Sequence, residues 1–330
     1  MWQRTAVHLV AAGTLAALTV SCSASSQAPE QASGYPSHEI RLSVPYTAGG
    51  PTDVAARAMG EFLERRFGHP VIVENKPGAA GSLAMTELAK SDPDGYSLTL
   101  LAVPATVVTP MIQDVGYGPT DYQPVGVISQ VPSVLAVATG SRFADAAGFF
   151  DAARGQPGKL TVGTPGATTS QAIELRRLAG EYGITVTAVP FNGNAEIIPA
   201  LLNGSVDAIL VNASRDIRAH FDAGEFRPLA VSPAKRVEYL PSTPTLSELG
   251  FPNLTYSTSV FGLAAPKGTP PDILGKLEEG LRAGHADPAV RTRLGEEYVP
   301  ERFIGATEFR AMLDKIVEVY GPVAAQLRGR

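Results

Sequence analysis

The stretch that most constrains this chain is Ile40-Arg41-Leu42-Ser43-Val44 followed by Pro45-Tyr46-Thr47-Ala48-Gly49-Gly50-Pro51-Thr52-Asp53. The first five residues alternate apolar and polar, which predicts a short strand. From Asp53 to Phe67, Val54, Ala58 and Phe62, and again Ala55, Met59 and Leu63, recur at four-residue spacing. That is the stripe of an amphipathic helix, with Gly68 as its stop. A strand therefore runs through a Gly-Gly bend into a helix whose candidate N-cap is Thr52 or Asp53. Such a junction aims free backbone N–H groups and the positive end of the helix dipole at one small volume. Two glycines let the backbone approach a ligand with no Cβ in the way. Hydroxyls of Tyr46, Thr47 and Thr52 add donors. The loop holds no Lys or Arg, and no G-x-x-x-x-G-K-[ST] occurs in the chain, so it suits a carboxylate held by neutral donors. The alternative is a plain strand-to-helix turn without a ligand.

Upstream, Met1 to Ser21 carries one basic residue, Arg4, and an apolar run from Ala6 to Val20. This reads as a secretory signal, residues 1–21, and is too short to span a membrane. It closes on Leu18-Thr19-Val20-Ser21-Cys22, small residues before the chain's one cysteine. The pattern resembles a bacterial lipobox in which Cys22 becomes a lipidated N-terminus, with Thr19 where Leu is usual; an ordinary cleavage site is the alternative. Residues 22–36, polar and small, read as a flexible tether. Removing 21 residues from 330 leaves 309, enough for about two domains. The formal charge of −5 falls to −6 without Arg4, and no basic block occurs, so no nucleic-acid partner is expected. One cysteine permits no internal disulfide, so the cores must supply the stability.

Strand-like and helical patterns then alternate. Val71 to Glu74 is a strand before a second Gly-rich corner, Asn75 to Ser82, and a helix to about Lys90. Ser97 to Val103 is a strand ending at Pro104-Ala105-Thr106. This order predicts a mostly parallel sheet with helices on both faces. A second unit starts near Val131, with strands at 134–138, 160–164, 186–190, 206–211 and 229–231 and helices at 143–154, 171–182 and 195–202. Pro165-Gly166-Ala167-Thr168-Thr169-Ser170 repeats the first device of strand, Gly bend and hydroxyl-rich helix start. Capping is the default role for one such hydroxyl, and three together suggest a ligand. Ser257 to Ala264 is an extended run suited to return the chain to the first unit. Helical patterns at 273–282 and 308–320 complete it.

No catalytic constellation is visible. None of His8, His38, His69, His220 and His285 lies in a motif, and there is no G-x-S-x-G, H-E-x-x-H, G-x-G-x-x-G or Cys/His cluster. The expectation is binding without turnover, with no cofactor and no metal.

An ordered set of motifs now carries a resemblance. Tyr35-Pro36 with Ile40-Arg41, Val44 to Asp53, Val73 to Gly81, Pro93-Asp94-Gly95-Tyr96, Pro157-Gly158-Lys159-Leu160 and Phe261-Gly262-Leu263 with Pro266 to Pro270 cover nearly the whole mature chain. The chain resembles the extracytoplasmic solute-binding receptors of tripartite tricarboxylate transporters, the Bug or TctC-like family. The resemblance implies an α/β, two-domain periplasmic-binding-protein fold of the type II-like, Venus-flytrap kind with two crossover strands. Domain 1 would comprise 37–130 plus 259–330, and domain 2 would comprise 131–258. A carboxylate would lie between them, held by backbone amides of the loop Pro45–Asp53 and closed over by Thr168–Ser170. Ligands in open α/β sheets sit at the C-terminal ends of strands. The expected ligand-binding set is therefore Tyr46, Thr47, Gly49, Gly50, Thr52, Asp53, Ala105, Thr106, Gly166, Thr168, Thr169, Ser170, Phe191 and Asn212. Within it, the hydroxyls of Thr47, Thr52, Thr168, Thr169 and Ser170 and the Gly49 and Gly50 amides form the expected carboxylate shell.

The chain departs from the family at Ala48 (usually Pro), at Gln171 (often His) and at Val260 (often Trp), and its Pro165–Ser170 loop is one residue short. Asn212 lacks the charge to hold an ammonium group alone, which weighs against amino-acid ligands. The expected role is an exported, lipid-anchored, monomeric receptor that delivers a small organic carboxylate (di-, tri- or aromatic) to membrane transporter subunits. The alternatives are a sensory receptor feeding a signalling partner and an exported enzyme acting on a small acid.

Overall fold

Between residues 40 and 131 the alternating patterns fold into β1 (Ile40–Val44), α1 (Pro51–Phe67), β2 (Val71–Asn75), α2 (Ser82–Lys90), β3 (Ser97–Val103), α3 (Ala105–Ile112) and β4 (Tyr122–Val131). After Pro132 the chain forms β5 (Ser133–Ala138), α4 (Ala146–Gly155), β6 (Thr161–Thr164), α5 (Ser170–Tyr182) and β7 (Thr187–Pro190). It continues with α6 (Asn194–Leu202), β8 (Ala208–Asn212), α7 (Arg215–Asp222) and β9 (Phe226–Val231). Next come β10 (Ser259–Pro266), α8 (Pro271–Ala286), α9 (Pro288–Leu294) and α10 (Ala306–Leu327). This computed structural model describes Trp2 and residues 34–328, except Pro104, Asn192 and the side chain of Ala80. The expected signal segment apart from Trp2, the tether up to Ser33 and Cys22 lie outside the described residues.

Two five-stranded sheets result, in the orders β2-β1-β3-β10-β4 and β7-β6-β8-β5-β9. In the first, β1 runs parallel to β2 and β3, and β10 runs antiparallel to β3 and β4. In the second, β6 runs parallel to β7 and β8, and β5 runs antiparallel to β8 and β9. Each sheet is thus mostly parallel with one reversed strand, fourth in the order. The reversal follows from the chain path. β5 and β10 are the strands that enter from the other sheet, so they run away from the lobe boundary while the others run toward it. The fold is a two-lobed, type II-like periplasmic-binding-protein architecture.

Each sheet is covered on both faces, because alternate strand residues point opposite ways. Leu98, Leu100 and Ala102 pack with Ala55, Met59 and Leu63 of α1 and with Leu277 and Leu281 of α8. Leu101 and Val103 pack instead with Val107 and Val108 of α3 and Leu313 and Ile316 of α10. In the second lobe Leu135 and Val137 meet Phe149 and Phe150 of α4, while Val134 and Ala136 meet Ile197 and Leu201 of α6. Each fully buried leucine or phenylalanine here contributes about 1.5–3 kcal/mol of transfer free energy.

β4 was not anticipated, since Pro124 and Gly126 interrupt its pattern. The structure places it at a sheet edge, where a missing N–H is tolerated. α4 starts at Ala146 rather than Phe143, because the Asp145 carboxylate caps it by accepting from Gly148 N at 2.8 Å. Side-chain bonds tie the two crossover segments together. Ser133 Oγ donates to Ser257 O at 2.7 Å, and Ser133 N donates to Ser232 Oγ at 3.0 Å. Among the described residues no helix is long and apolar enough to cross a membrane.

Candidate functional site

A cavity of about 730 Å³ lies between the lobes. Its wall contains the first turns of five helices: Gly50 to Thr52 at α1, Ala105 at α3, Thr169 to Gln171 at α5, Asn194 and Ala195 at α6, and Arg215 and Asp216 at α7. Each helix follows a strand that runs toward the lobe boundary, so the parallel order of the sheets brings the five N-termini together. Their unpaired N–H groups and dipoles make the volume attractive to an anion. A second cavity, about 490 Å³, lies on the opposite face of the same strands. Gln130 and Val260 face it, whereas Ser129, Ser259 and Phe261 face the larger one. Among the described residues no α-helix start lines it, so the larger cavity is the candidate site.

The first loop is shaped from behind. Gly50, not Thr52 or Asp53, is the N-cap of α1, with Pro51 at the first helical position, where its fixed φ is preorganised. Asp53 turns back: its Oδ2 accepts from Gly49 N at 3.0 Å, and Arg57 Nε donates to both oxygens at 3.0 Å. Asn75 Nδ2 donates to Asp53 Oδ1 at 2.9 Å and to Tyr46 O at 3.0 Å. Gly49 sits at φ 90°, a conformation that favours glycine. Burial pushes the Asp53 carboxyl up, but the bonds from Arg57, Gly49 and Asn75 outweigh it and hold its pKa below the usual range. Two expectations are therefore corrected. Asp53 does not line the cavity, and the Gly49 amide is committed to Asp53 rather than open to a ligand. Tyr46, Thr47, Gly49, Gly50 and Thr52 do line it. Burial pushes the Tyr46 phenol up to about 12, so it stays a neutral donor at physiological pH.

The second loop is built differently. Thr164 Oγ1 and Thr169 Oγ1 both donate to Gly166 O at 3.1 Å, and Thr169 Oγ1 accepts from Ala172 N as the cap of α5. Thr169 and Ser170 line the cavity, but the Thr169 hydroxyl is occupied by capping and that of Ser170 donates to Gln171 Oε1 at 3.1 Å. Gly166 and Thr168 are not in the wall. Ala105 is, whereas Thr106 is fully buried and donates to Ala102 O at 3.3 Å. Phe191 packs over Gly163 in the second lobe's core instead of facing the cavity.

Asn212, at the end of β8, lines the cavity. Its Oδ1 accepts from Gln171 Nε2 at 2.9 Å and from Ser259 Oγ at 3.0 Å. Gln171 Nε2 also donates to Ser133 Oγ at 2.9 Å. Asn212 Nδ2 donates to no acceptor among the described residues.

Several wall residues were missed. Asn194 Nδ2 donates to Asp216 Oδ2 at 2.8 Å and Ser214 Oγ to Asp216 Oδ1 at 2.6 Å, so the one acidic wall residue among those described is already paired. Arg215 is the one cationic wall residue among those described, and its Nη2 reaches across the boundary to Thr292 O at 3.1 Å. No motif marks it, and only its place at a helix start after a strand end could have signalled it. Ser259 and Phe261 were recoverable from the alternation of the predicted 257–264 strand. Among the described residues the wall carries one positive and one negative side chain, so its field comes mainly from backbone dipoles and neutral donors. None of the described histidines lines it.

Residues 55–315 match the family described as tripartite tricarboxylate transporter family receptor, TctC. The chain is 34% identical over 291 residues to the UPF0065 protein in the gbd 5' region of Cupriavidus necator, covering 88% of each. It is also similar to solved structures. A Rhodopseudomonas palustris protein with adipate is 29% identical with a TM-score of 0.76, covering 89% of this chain and 98% of that one. MatC from Rhodopseudomonas palustris with bound malate is 25% identical with a TM-score of 0.75, covering 88% and 100%. The chain belongs to the tripartite tricarboxylate transporter receptor (TctC) family.

Proposed function

We infer that this chain is a solute-binding receptor that captures a small organic carboxylate between its lobes and presents it to the membrane subunits of a tripartite transporter. The observation that carries the reading is the convergence of five helix N-termini on one cavity whose described side chains hold one cation, Arg215, one paired acid, Asp216, and otherwise neutral groups. A carboxylate buried there meets N–H and O–H groups without a compensating cation in the wall other than Arg215. Relatives of the same fold with bound malate and adipate support the class of ligand. The N-terminal signal pattern supports export, and the Leu18–Cys22 pattern supports a lipid anchor at Cys22 that would hold the receptor at the membrane as a monomer. The reading is binding without turnover, in keeping with the family of receptors that the chain matches.

Thermal melting of the mature protein against di-, tri- and aromatic carboxylates tests the reading. A ligand that binds only the folded state stabilises it by RT ln(1 + [L]/Kd), about 2.7 kcal/mol at a hundredfold excess over Kd. One class of acids should raise the melting temperature while sugars leave it unchanged. If every acid leaves it unchanged and no acid is released on denaturation, the carboxylate reading fails.

A further inference from the structure

The polarity of the second-lobe wall is set by a chain of hydrogen bonds that begins at a backbone carbonyl. Ser257 O can only accept, so the Ser133 hydroxyl, 2.7 Å away, spends its hydrogen there. Ser133 Oγ is then an acceptor toward Gln171, 2.9 Å away, so the nearer Gln171 atom must be the amide nitrogen. Its oxygen lies 3.1 Å from the Ser170 hydroxyl, nearer than the other acceptor of that hydroxyl, Ser257 O at 3.4 Å, which agrees with that orientation. The second hydrogen of Gln171 Nε2 goes to Asn212 at 2.9 Å, so the Asn212 atom there must be oxygen, and Ser259 Oγ donates to the same oxygen at 3.0 Å. Asn212 is thereby left with both Nδ2 hydrogens and no partner among the described residues, on the wall of the cavity. Gln171 is buried, at 2% exposure, so water does not compete for these bonds.

We propose that Gln171 is the positioning residue that presents the Asn212 side chain to the cavity as a donor only, so that it binds carboxylate or carbonyl oxygens and disfavours ammonium groups, the nearby Asp216 carboxylate being already paired with Asn194 and Ser214. The inference rests on the reading of the cavity as a carboxylate site and names the chemistry of the ligand's second pole. A diacid satisfies both ends. An ω-amino acid of equal length offers its ammonium hydrogens to the Asn212 hydrogens, and two donors facing each other leave both unsatisfied.

The test uses the mature protein, Gln171→Met, which keeps the length and removes the donor without adding charge, and Gln171→Glu, which demands a hydrogen from Asn212. Melting shifts are compared for succinate, glutarate and adipate and for the ω-amino acids of matching length, 4-aminobutyrate, 5-aminopentanoate and 6-aminohexanoate. The parent should favour the best diacid over its ω-amino analogue by about tenfold or more. The preference should shrink in Gln171→Met and shrink further or invert in Gln171→Glu. A merely structural role for Gln171 would weaken both ligands equally, and an unchanged ratio in both variants overturns the proposal. The side-chain amide resonances of the ligand-free parent give an independent readout. The Gln171 amide protons should be protected from exchange, while those of Asn212 exchange freely. Protected Asn212 protons overturn the proposal alone, whereas a parent that answers to no diacid but shows free Asn212 protons overturns the carboxylate reading.

Discussion

Helices α1 and α5 begin with the same local device, a strand, a glycine bend and a hydroxyl-bearing first turn, and each carries a buried acid paired with an arginine. On α1 the pair is Asp53 and Arg57, four residues apart; on α5 it is Glu174 and Arg177, three apart. The acids are turned in different directions. Asp53 faces its own loop and holds Gly49, so the Thr47 and Thr52 hydroxyls stay open to the cavity. Glu174 faces the other lobe, where Tyr320 Oη donates to it at 2.7 Å and Arg177 Nη1 donates to both its oxygens at 3.1 Å. The α5 loop, without such a brace, is held by its own hydroxyls. One brace shapes the wall of the cavity and the other joins two lobes. The comparison teaches that an identical sequence device yields donors for a ligand only where something else shapes the loop.

The titrations of the two acids differ accordingly. Asp53 is held below its ordinary pKa, so its contribution to stability is present above the unfolded value and is lost as pH falls through the folded one. For Glu174, burial outweighs Arg177 and Tyr320 and pushes the carboxyl up to about 7. The folded state then holds a proton that the unfolded chain releases. The Glu174 contribution is complete below the unfolded value near 4.5 and declines as pH rises toward about 7. Gln in place of Glu174 should flatten the melting-temperature profile in that window and leave the acid limb below it unchanged. An unaltered profile would reject the assignment.

The largest expected effect comes from breaking the lobe-joining brace. Glu174→Ala leaves the Tyr320 hydroxyl without its acceptor and the Arg177 guanidinium, 5% exposed, with only Glu181 at 2.8 Å and Asn253 O at 2.9 Å, and should cost about 2–3 kcal/mol in urea unfolding. The protein that remains folded should bind its acid as the parent does. Breaking the loop brace should do the opposite. Asp53→Ala frees Gly49 and should weaken acid binding about tenfold, or about 1.4 kcal/mol. Equal affinity would show that the first loop needs no brace. The smallest pair sharpens the contrast between the loops. Thr169→Ala removes a helix cap and should cost about 0.5–2 kcal/mol of stability. Thr47→Ala should leave stability unchanged and cost about 0.5–1.5 kcal/mol of binding in isothermal titration. If Thr169→Ala proves the worse binder, the assignment of free and committed hydroxyls is reversed.

Much of this was legible in the chain itself. The strand–bend–helix pattern placed Tyr46, Thr47, Gly49, Gly50, Thr52, Ala105, Thr169, Ser170 and Asn212 at strand ends and helix starts, and the cavity wall contains them all. It failed for Asp53, Thr106, Gly166, Thr168 and Phe191, which share those positions but face elsewhere. Arg215 and Gln171 escaped because their roles depend on partners that periodicity does not reveal.

Local chemistry determined the order of strands and helices, the two Gly bends and hence the gathering of positive helix ends, since these follow from short-range periodicity, capping and the run of parallel strands. Tertiary structure decided which donors are free. Asp53 is answered by Asn75, 22 residues away, Gln171 by Ser133, 38 away, and Glu174 by Tyr320, 146 away. A hydrogen can be donated once, and whether it is left for a ligand depends on which distant acceptor the fold brings within 3 Å of it.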